Sequence, residues 1–344
     1  MATCLVGLGA NLGNRARTLM AALERLADVP RMQVCSRSRW FDTKPVGGPA
    51  GQPGFLNGAA VLETDLPPVD VVRALLSIEN QLGRQRAGRW QPRELDLDLL
   101  LYDDLVVRHP EVAVPHPWMA VRRFVLEPAA EIAPAMLHPP TGWCVARLLD
   151  NLNLAHQYVA VASSNHGLAD RFAVELAKRS GATLLNLGPC TAEGVPPQNS
   201  TTKSWLELGT CWATELSIDA WPAAAAPRGA AWAVSARWLG EPLVAARMTQ
   251  HAERSTLPAD PRGEAEIDHV WAEVTARAVA PKLILAVEDL HPATGPSPAT
   301  AGDNYAACLA AELDRPGHGP VLRLACADWN RAIDDGLAAL AAAM

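Results

Sequence analysis

A chain of 344 residues with 49 % hydrophobic content is long enough for two folded domains and too apolar to be disordered. Its net charge of −7 is unevenly spread: residues 1–150 carry 16 basic and 16 acidic side chains, the remainder 14 and 21. The acidic second half argues against nucleic acid or an anionic membrane as a partner, and no apolar run of about 18 residues is present that would cross a bilayer. The opening "MATCLVGLGANLGNR" lacks the basic start and long apolar stretch of a secretory leader, so a cytoplasmic location is expected. Seven cysteines, Cys4, Cys35, Cys144, Cys190, Cys211, Cys308 and Cys326, are scattered and form no C-x-x-C pair, which reads as small core residues rather than bridges or metal ligands.

In chain order, "TCLVGLG" reads as a strand and "NRARTLMAALERLADV" as a helix with apolar spacing at Leu19, Leu23 and Leu26. "MQVCSRSRWF" alternates, and "FLNGAAVLET" is a second apolar run. "PVDVVRALLSIENQLG" is a helix that opens near a proline and closes at Gly83, and "LDLDLLLY" is a strand. The order βαββαβ predicts a ferredoxin-like split βαβ sandwich, an α+β arrangement, over residues 1–152. Its tail is expected to be Pro-rich loops with one short helix at "WCVARLLDNL". Composition changes near residues 151–157, and a second domain is expected over 157–344. There "YVAVAS" is a strand, "LADRFAVELAKRSG" a helix, "EAEIDHVWAEVTARAV" a helix, and "KLILAVE" and "VLRLAC" strands, with "YAACLAAELDR" between them and a final helix. A Pro/Thr/Ser stretch near 189–204, an Ala/Pro-rich segment near 222–231 and a turn-rich run through 291–303 interrupt the pattern. Strands alternating with helices predict a parallel α/β domain.

The stretch "RWQPRELDLDLLLYDD" at 89–104 sets two acids, Asp96 and Asp98, on one face of a strand that otherwise reads as core. Two neighbouring carboxylates repel unless one is protonated or a cation lies between them, and a hard divalent ion such as Mg²⁺ suits them. Arg84, Arg86, Arg89 and Arg93 form a local basic cluster in a neutral domain, which suggests a small anionic ligand such as a phosphate chain. The bland alternative is a half-exposed strand with two solvated acids and ordinary surface arginines.

"RWQPRELDLDLL" resembles the signature of the hydroxymethyldihydropterin pyrophosphokinases of folate biosynthesis. "GLGANLGNR", "TKPVG" with "QPGFLN", the Glu before "LGRQR", and "VPHPWMAVRRFVL" follow in that family's order. The resemblance implies transfer of pyrophosphate from ATP, the co-substrate, to the hydroxymethyl group of a dihydropterin, with release of AMP. It further implies that Asp96 and Asp98 hold two Mg²⁺ ions and that Arg84, Arg93, His116 and Arg122 contact the ATP phosphates, with Arg86 on a loop that closes over the site. Phe55 and Phe124 would stack on the pterin, and Asn57 with the backbone near Thr43 and Val46 would bond its edge. Glu79 and Trp90 would help to hold ATP and order the loop. Stacking between aromatic faces and an amide at a heterocycle edge are sound chemistry for such a ligand. Lys44, Gln91 and Pro117 depart from the family pattern, which bears on loop closure and nucleotide affinity. A non-catalytic pterin- or nucleotide-binding protein is the alternative.

"YVAVASSNHGLADRFAVELAKRSGA" has the strand–loop–helix frame of a P-loop and resembles the opening of deoxynucleoside kinases. The chemistry is missing: Ala169 stands in place of the phosphate-binding Lys, Asp170 in place of the Ser/Thr, and Ser163, His166 and Leu168 occupy glycine positions. "AERS" at 252–255 and the closing "GPVLRLACADWNRAIDDGLAAL" are weaker likenesses, and none of Lys178, Lys203 and Lys282 lies in the loop. The resemblance implies a degenerate P-loop domain without ATP chemistry that serves as a scaffold, a homodimer or protein-partner surface, or a regulatory module that binds a nucleoside or a protein. An unrelated α/β domain with a generic strand–loop–helix is the alternative.

Overall fold

The computed structural model describes residues 1–49, 51–84, 91–154, 156–185, 202–216, 232–254, 262–288 and 301–344. They fall into two compact units, Met1–Leu154 together with Ala338–Met344, and Ala155–Leu337.

The first unit opens with β1 (Ala2–Ala10), α1 (Arg15–Ala27), β2 (Met32–Arg37), β3 (Phe41–Thr43) and β4 (Phe55–Thr64). It continues with α2 (Pro68–Gln81), β5 (Asp96–Tyr102), the hairpin β6 (Val107–His109) and β7 (Val112–Val114), and α3 (Arg123–Ile132). The hairpin β8 (Leu137–His138) and β9 (Trp143–Cys144) and helix α4 (Val145–Leu154) follow. The main sheet runs β2-β4-β1-β5 with every pair antiparallel, and β3 adds to β4. This is the split βαβ order expected from the sequence. Alternation along β1 and β5 turns Cys4, Val6, Leu8, Leu97 and Leu99 onto the helices, where they join Leu19, Leu23, Leu26, Leu75 and Ile78 in one core. The helices end as their sequences dictate. Asn14 caps α1 by accepting the Arg17 N–H at 3.2 Å. Gly83, at φ +92°, lets α2 close in a Schellman turn, Gly83 N–H to Asn80 O at 3.3 Å and Arg84 N–H to Glu79 O at 3.0 Å.

Three expectations are corrected. "MQVCSRSRWF" is two strands: β2 slips register on β4 between Val34 and Ser36, pairing ends at Arg37, and Ser38 then accepts the Ala59 N–H through its hydroxyl at 3.0 Å. The Pro-rich tail carries a second helix, α3, with Pro128 inside it and Val125, Leu126 and Ala129 buried. Of Cys4, Cys35, Cys144, Cys308 and Cys326, Cys4 alone is buried, and Cys35 and Cys308 are exposed.

The second unit holds β10 (Tyr158–Ala162), α5 (His166–Ser180), β11 (Thr183–Leu185), α6 (Thr202–Glu215), β12 (Ala233–Ser235), α7 (Glu241–Arg254), α8 (Arg262–Arg277), β13 (Leu283–Glu288), α9 (Ala301–Leu313), β14 (Val321–Ala325) and α10 (Trp329–Ala343), whose end from Ala338 is grouped with the first unit. Its sheet is parallel throughout, in the order β11-β12-β10-β13-β14. Strands β10 and β13 are apolar runs buried on both faces, as a parallel sheet covered by helices requires. The stretches near 189–200, 222–231 and 291–300 lie outside the described residues.

Candidate active site

The site begins with rows across one face of the first sheet. Pairing of β1 with β4 and β5 sets Asn57, Gly9 and Asp96 abreast, and Ala59, Gly7 and Asp98 abreast two positions further on. Asp96 and Asp98 therefore share a face, and the glycines opposite them leave the strip beside them without side chains. The space is tight: a Cβ on Gly9 would lie 2.9 Å from Asn57 Oδ1. Asn57 is itself fixed, its amide donating to Thr43 Oγ1 at 2.7 Å.

This strip belongs to a cavity of about 420 Å³. Thr43, Val46, Phe55 and Asn57 line it from β3, β4 and the loop between them, and His116, Arg122 and Phe124 from the segment entering α3. Glu79, Arg84, Arg93, Asp96 and Asp98 complete it. Every described residue assigned a role from the sequence thus borders one space; Arg86 and Trp90 lie outside the described residues. Sequence reasoning passed over Gly7, Gly9 and Trp118, which also line the cavity, and Asn11, which fixes the main chain of Arg93. Glycines two apart within a strand were the available signal for the first two.

The cationic groups are placed by the fold. The Schellman turn after α2 returns Arg84 over Glu79, where its guanidinium pairs with the buried carboxylate. Glu79 Oε1 also accepts the Leu97 N–H at 2.7 Å, which ties α2 to β5, while Oε2 is buried without a hydrogen-bond partner. Arg93 is set by Asn11, whose Oδ1 accepts the Arg93 N–H at 2.8 Å and whose own N–H donates to Arg93 O at 3.2 Å. Both guanidiniums then meet at one atom: Asp96 Oδ1 lies 2.7 Å from Arg93 Nη1 and 2.9 Å from Arg84 Nη1. His116 Nδ1 accepts the Trp118 N–H at 3.1 Å, so the neutral ring carries its proton on Nε2, which lies 4.0 Å from Asp98 Oδ2. The Arg122 guanidinium sits 5.1 Å from the Trp118 ring and 5.6 Å from the Phe124 ring.

Burial, and next the charge of Asp98, push the Asp96 carboxyl above its ordinary value, with Arg93 and Arg84 pulling it back. Burial likewise raises Glu79, against the Leu97 N–H and the Arg84 charge. It lowers His116, Arg122 adding to the effect and Asp98 opposing it. The donor set fits a hard divalent cation: two carboxylates crowd one face, and their mutual repulsion is relieved by a positive ion. Among the described residues no three His, Cys, Asp or Glu side chains converge on a point, so such an ion would complete its shell with water and phosphate oxygens.

The second unit's strand–loop–helix has no comparable constellation. Asn165 caps α5 by accepting the Leu168 N–H at 3.0 Å, Leu168 and Ala169 are buried, and Asp170 is paired with Arg237 at 2.8 Å. The "AERS" stretch runs past the described residues.

A split βαβ sheet that gathers paired acids, arginines, a neutral histidine and two phenyl rings around one cavity defines a phosphoryl-group transferase with a flat co-substrate. Residues 5–134 match the family model described as 7,8-dihydro-6-hydroxymethylpterin-pyrophosphokinase (HPPK). The 2-amino-4-hydroxy-6-hydroxymethyldihydropteridine pyrophosphokinase of Synechocystis sp. is 38 % identical over 149 residues, which are 43 % of this chain and 75 % of that protein. The Pseudomonas aeruginosa protein of the same name is 42 % identical over 39 % of this chain and 82 % of its own length. The chain belongs to the hydroxymethyldihydropterin pyrophosphokinase family. A solved structure of Plasmodium falciparum HPPK-DHPS with pteroate overlays at a TM-score of 0.34 with 11 % identity, over 62 % of this chain and 60 % of that one.

Proposed function

We propose that the first unit transfers the β,γ-pyrophosphoryl group of ATP to the hydroxymethyl oxygen of 6-hydroxymethyl-7,8-dihydropterin. The new bond joins that oxygen to the β-phosphorus, the bond from the β-phosphorus to the α,β-bridging oxygen breaks, AMP leaves, and the hydroxyl proton is released to solvent. The observation that carries this reading is the convergence of acids, arginines, His116 and both phenyl rings on one cavity in a chain of this family. Phosphoryl transfer of this kind asks for positioning and charge neutralisation rather than a covalent nucleophile. Phe55 and Phe124 would sandwich the pterin, with Asn57 and the backbone near Thr43 and Val46 bonding its edge. Arg84, Arg93, Arg122 and the Nε2–H of His116 would bind phosphate oxygens, with Arg86 closing over them and Glu79 and Trp90 supporting the nucleotide. Two Mg²⁺ ions on Asp96 and Asp98 would supply charge neutralisation along the phosphate chain.

We assign this activity to residues 1–152 and read residues 157–344 as a degenerate P-loop-like domain. A doubly wound sheet with its first strand in the middle supports that reading. An acid tied to Arg237 where phosphates would lie makes it non-catalytic, and it is left as a surface for a second copy or a protein partner. Consumption of ATP and a small polar pterin fits a cytoplasmic site.

The test is AMP formation by the full chain with ATP, Mg²⁺ and the hydroxymethyldihydropterin. Turnover that disappears in Asp98→Ala is expected. Retained ATP binding without AMP in the unaltered protein would favour a non-catalytic binding protein instead.

A further inference from the structure

Two of the arginines assigned to the phosphates, Arg84 and Arg93, are already engaged. Arg93 Nη1 and Arg84 Nη1 lie 2.7 and 2.9 Å from the same atom, Asp96 Oδ1, and the three side chains are only 21 %, 18 % and 24 % exposed. A sheltered, shared carboxylate oxygen holds guanidiniums far better than a surface pair does. The main chain of Arg93 is fixed by Asn11, and that of Arg84 by the Schellman turn, so only the side chains can leave Asp96. Among the described residues, the ion-pair contact of Asp98, one row away with the same charge, is with His116 at 4.0 Å.

We propose that Asp96 is a latch as well as a metal ligand: it holds Arg84 and Arg93 away from the nucleotide until it exchanges them for a divalent cation. The proposal rests on the reading of the site given above. When Asp96 turns to a cation shared with Asp98, its oxygen no longer neutralises the two guanidiniums: Arg93 becomes a donor for the phosphate chain, and so do the Arg84 N–H groups that Glu79 does not hold. A nucleotide arriving without the cation meets two carboxylates and two occupied arginines. Metal and nucleotide binding are thereby coupled through one side chain, each favouring the other.

The experiment titrates ATP, without pterin so that no turnover occurs, into the full-length protein by calorimetry, once with EDTA and once with Mg²⁺. The unaltered chain, Asp96→Asn and Asp98→Asn are compared, the two variants changing charge equally. In EDTA, Asp96→Asn should bind ATP about tenfold more tightly than the unaltered chain, as expected when charge-assisted bonds are released, and Asp98→Asn should gain much less. Asp96→Ala, which removes the acceptor altogether, should gain at least as much as Asp96→Asn. Equal gains in the Asp96 and Asp98 variants would show that charge alone acts and would overturn the latch, as would no gain in either Asp96 variant. An unaltered chain that binds ATP in neither buffer would instead refute the reading of the site itself.

Discussion

Single residues in this site are constrained by what a neighbour already occupies. Gly9 is one such position, since a methyl there would sit 2.9 Å from Asn57 Oδ1 and push the amide off Thr43. Gly9→Ala should therefore raise KM for the pterin about tenfold through one lost edge bond while leaving KM for ATP within about twofold, as steady-state kinetics would show. Equal changes in both constants would place Gly9 outside the pterin end. Glu79 makes the opposite case. Its Oε1 takes both the Leu97 N–H and Arg84, so a glutamine can keep both bonds with its own Oε1 and set its amide where Oε2 has no partner. Glu79→Gln should keep kcat/KM for ATP within about threefold, whereas Glu79→Leu, which strands the buried Leu97 N–H, should lower unfolding stability by about 1–3 kcal/mol. A glutamine variant as inactive as the leucine one would mean that the carboxylate charge acts on the nucleotide directly.

Elements show where the sequence could be read and where it could not. Helix α2, its end at Gly83 and strands β4 and β5 follow from period and punctuation alone, and the acids of β5 were legible because alternation fixes which side chains share a face. Helix α3 was not legible. Pro128 argues locally against a helix, and only the burial of Val125, Leu126 and Ala129 outweighs it, a tertiary effect that no window of sequence contains. The break between β2 and β3 is of the same kind. Trp40 lies over Gly58, where a Cβ would come within 2.3 Å of the indole, and nothing in "SRSRW" announces that partner. Partners were likewise hidden: that Asn11 sets Arg93, or that Arg84 and Arg93 share one oxygen, depends on residues brought together by β-pairing. The small hairpin β8–β9 carries a prediction of its own. His138 is buried with Nδ1 2.9 Å from Thr141 Oγ1, and burial lowers its pKa from 6.5 to about 4. Between those values the unfolded chain binds a proton that the folded one refuses, so stability present at neutral pH is lost as pH falls from 6.5 toward 4. The loss amounts to about 3 kcal/mol. Denaturant unfolding at pH 7 and pH 4 should show a smaller acid loss in His138→Gln by about that amount; identical pH dependence would exclude His138 as its source.

At the scale of the whole molecule, the two units contrast in how they treat charge. The first crowds arginines and acids around open space, while the second closes its charged groups on one another. Asp170 meets Arg237 at 2.8 Å, and Glu241, buried and pushed up to about 8 by desolvation, accepts the Trp238 N–H at 3.0 Å just ahead of α7. A phosphate chain at the start of α5 would have to displace Arg237 from Asp170 and would find no lysine in the loop, because Ala169 is a buried apolar contact. Two backbone N–H groups at that helix start are also spoken for, Leu168 N–H by Asn165 Oδ1 and Asn165 N–H by the Ser163 hydroxyl at 3.2 Å. Calorimetry of the full chain with ATP and Mg²⁺ should therefore give one equivalent bound, and the double variant Asp96→Ala with Asp98→Ala should lose most of that affinity without exposing a second site. Two equivalents in the unaltered chain, or one equivalent that survives the double variant at full strength, would show that the parallel sheet binds nucleotide after all. In that event Asp170→Ser, which frees Arg237 for an anion, should strengthen the second equivalent rather than weaken it, and would locate it at the carboxyl end of β10.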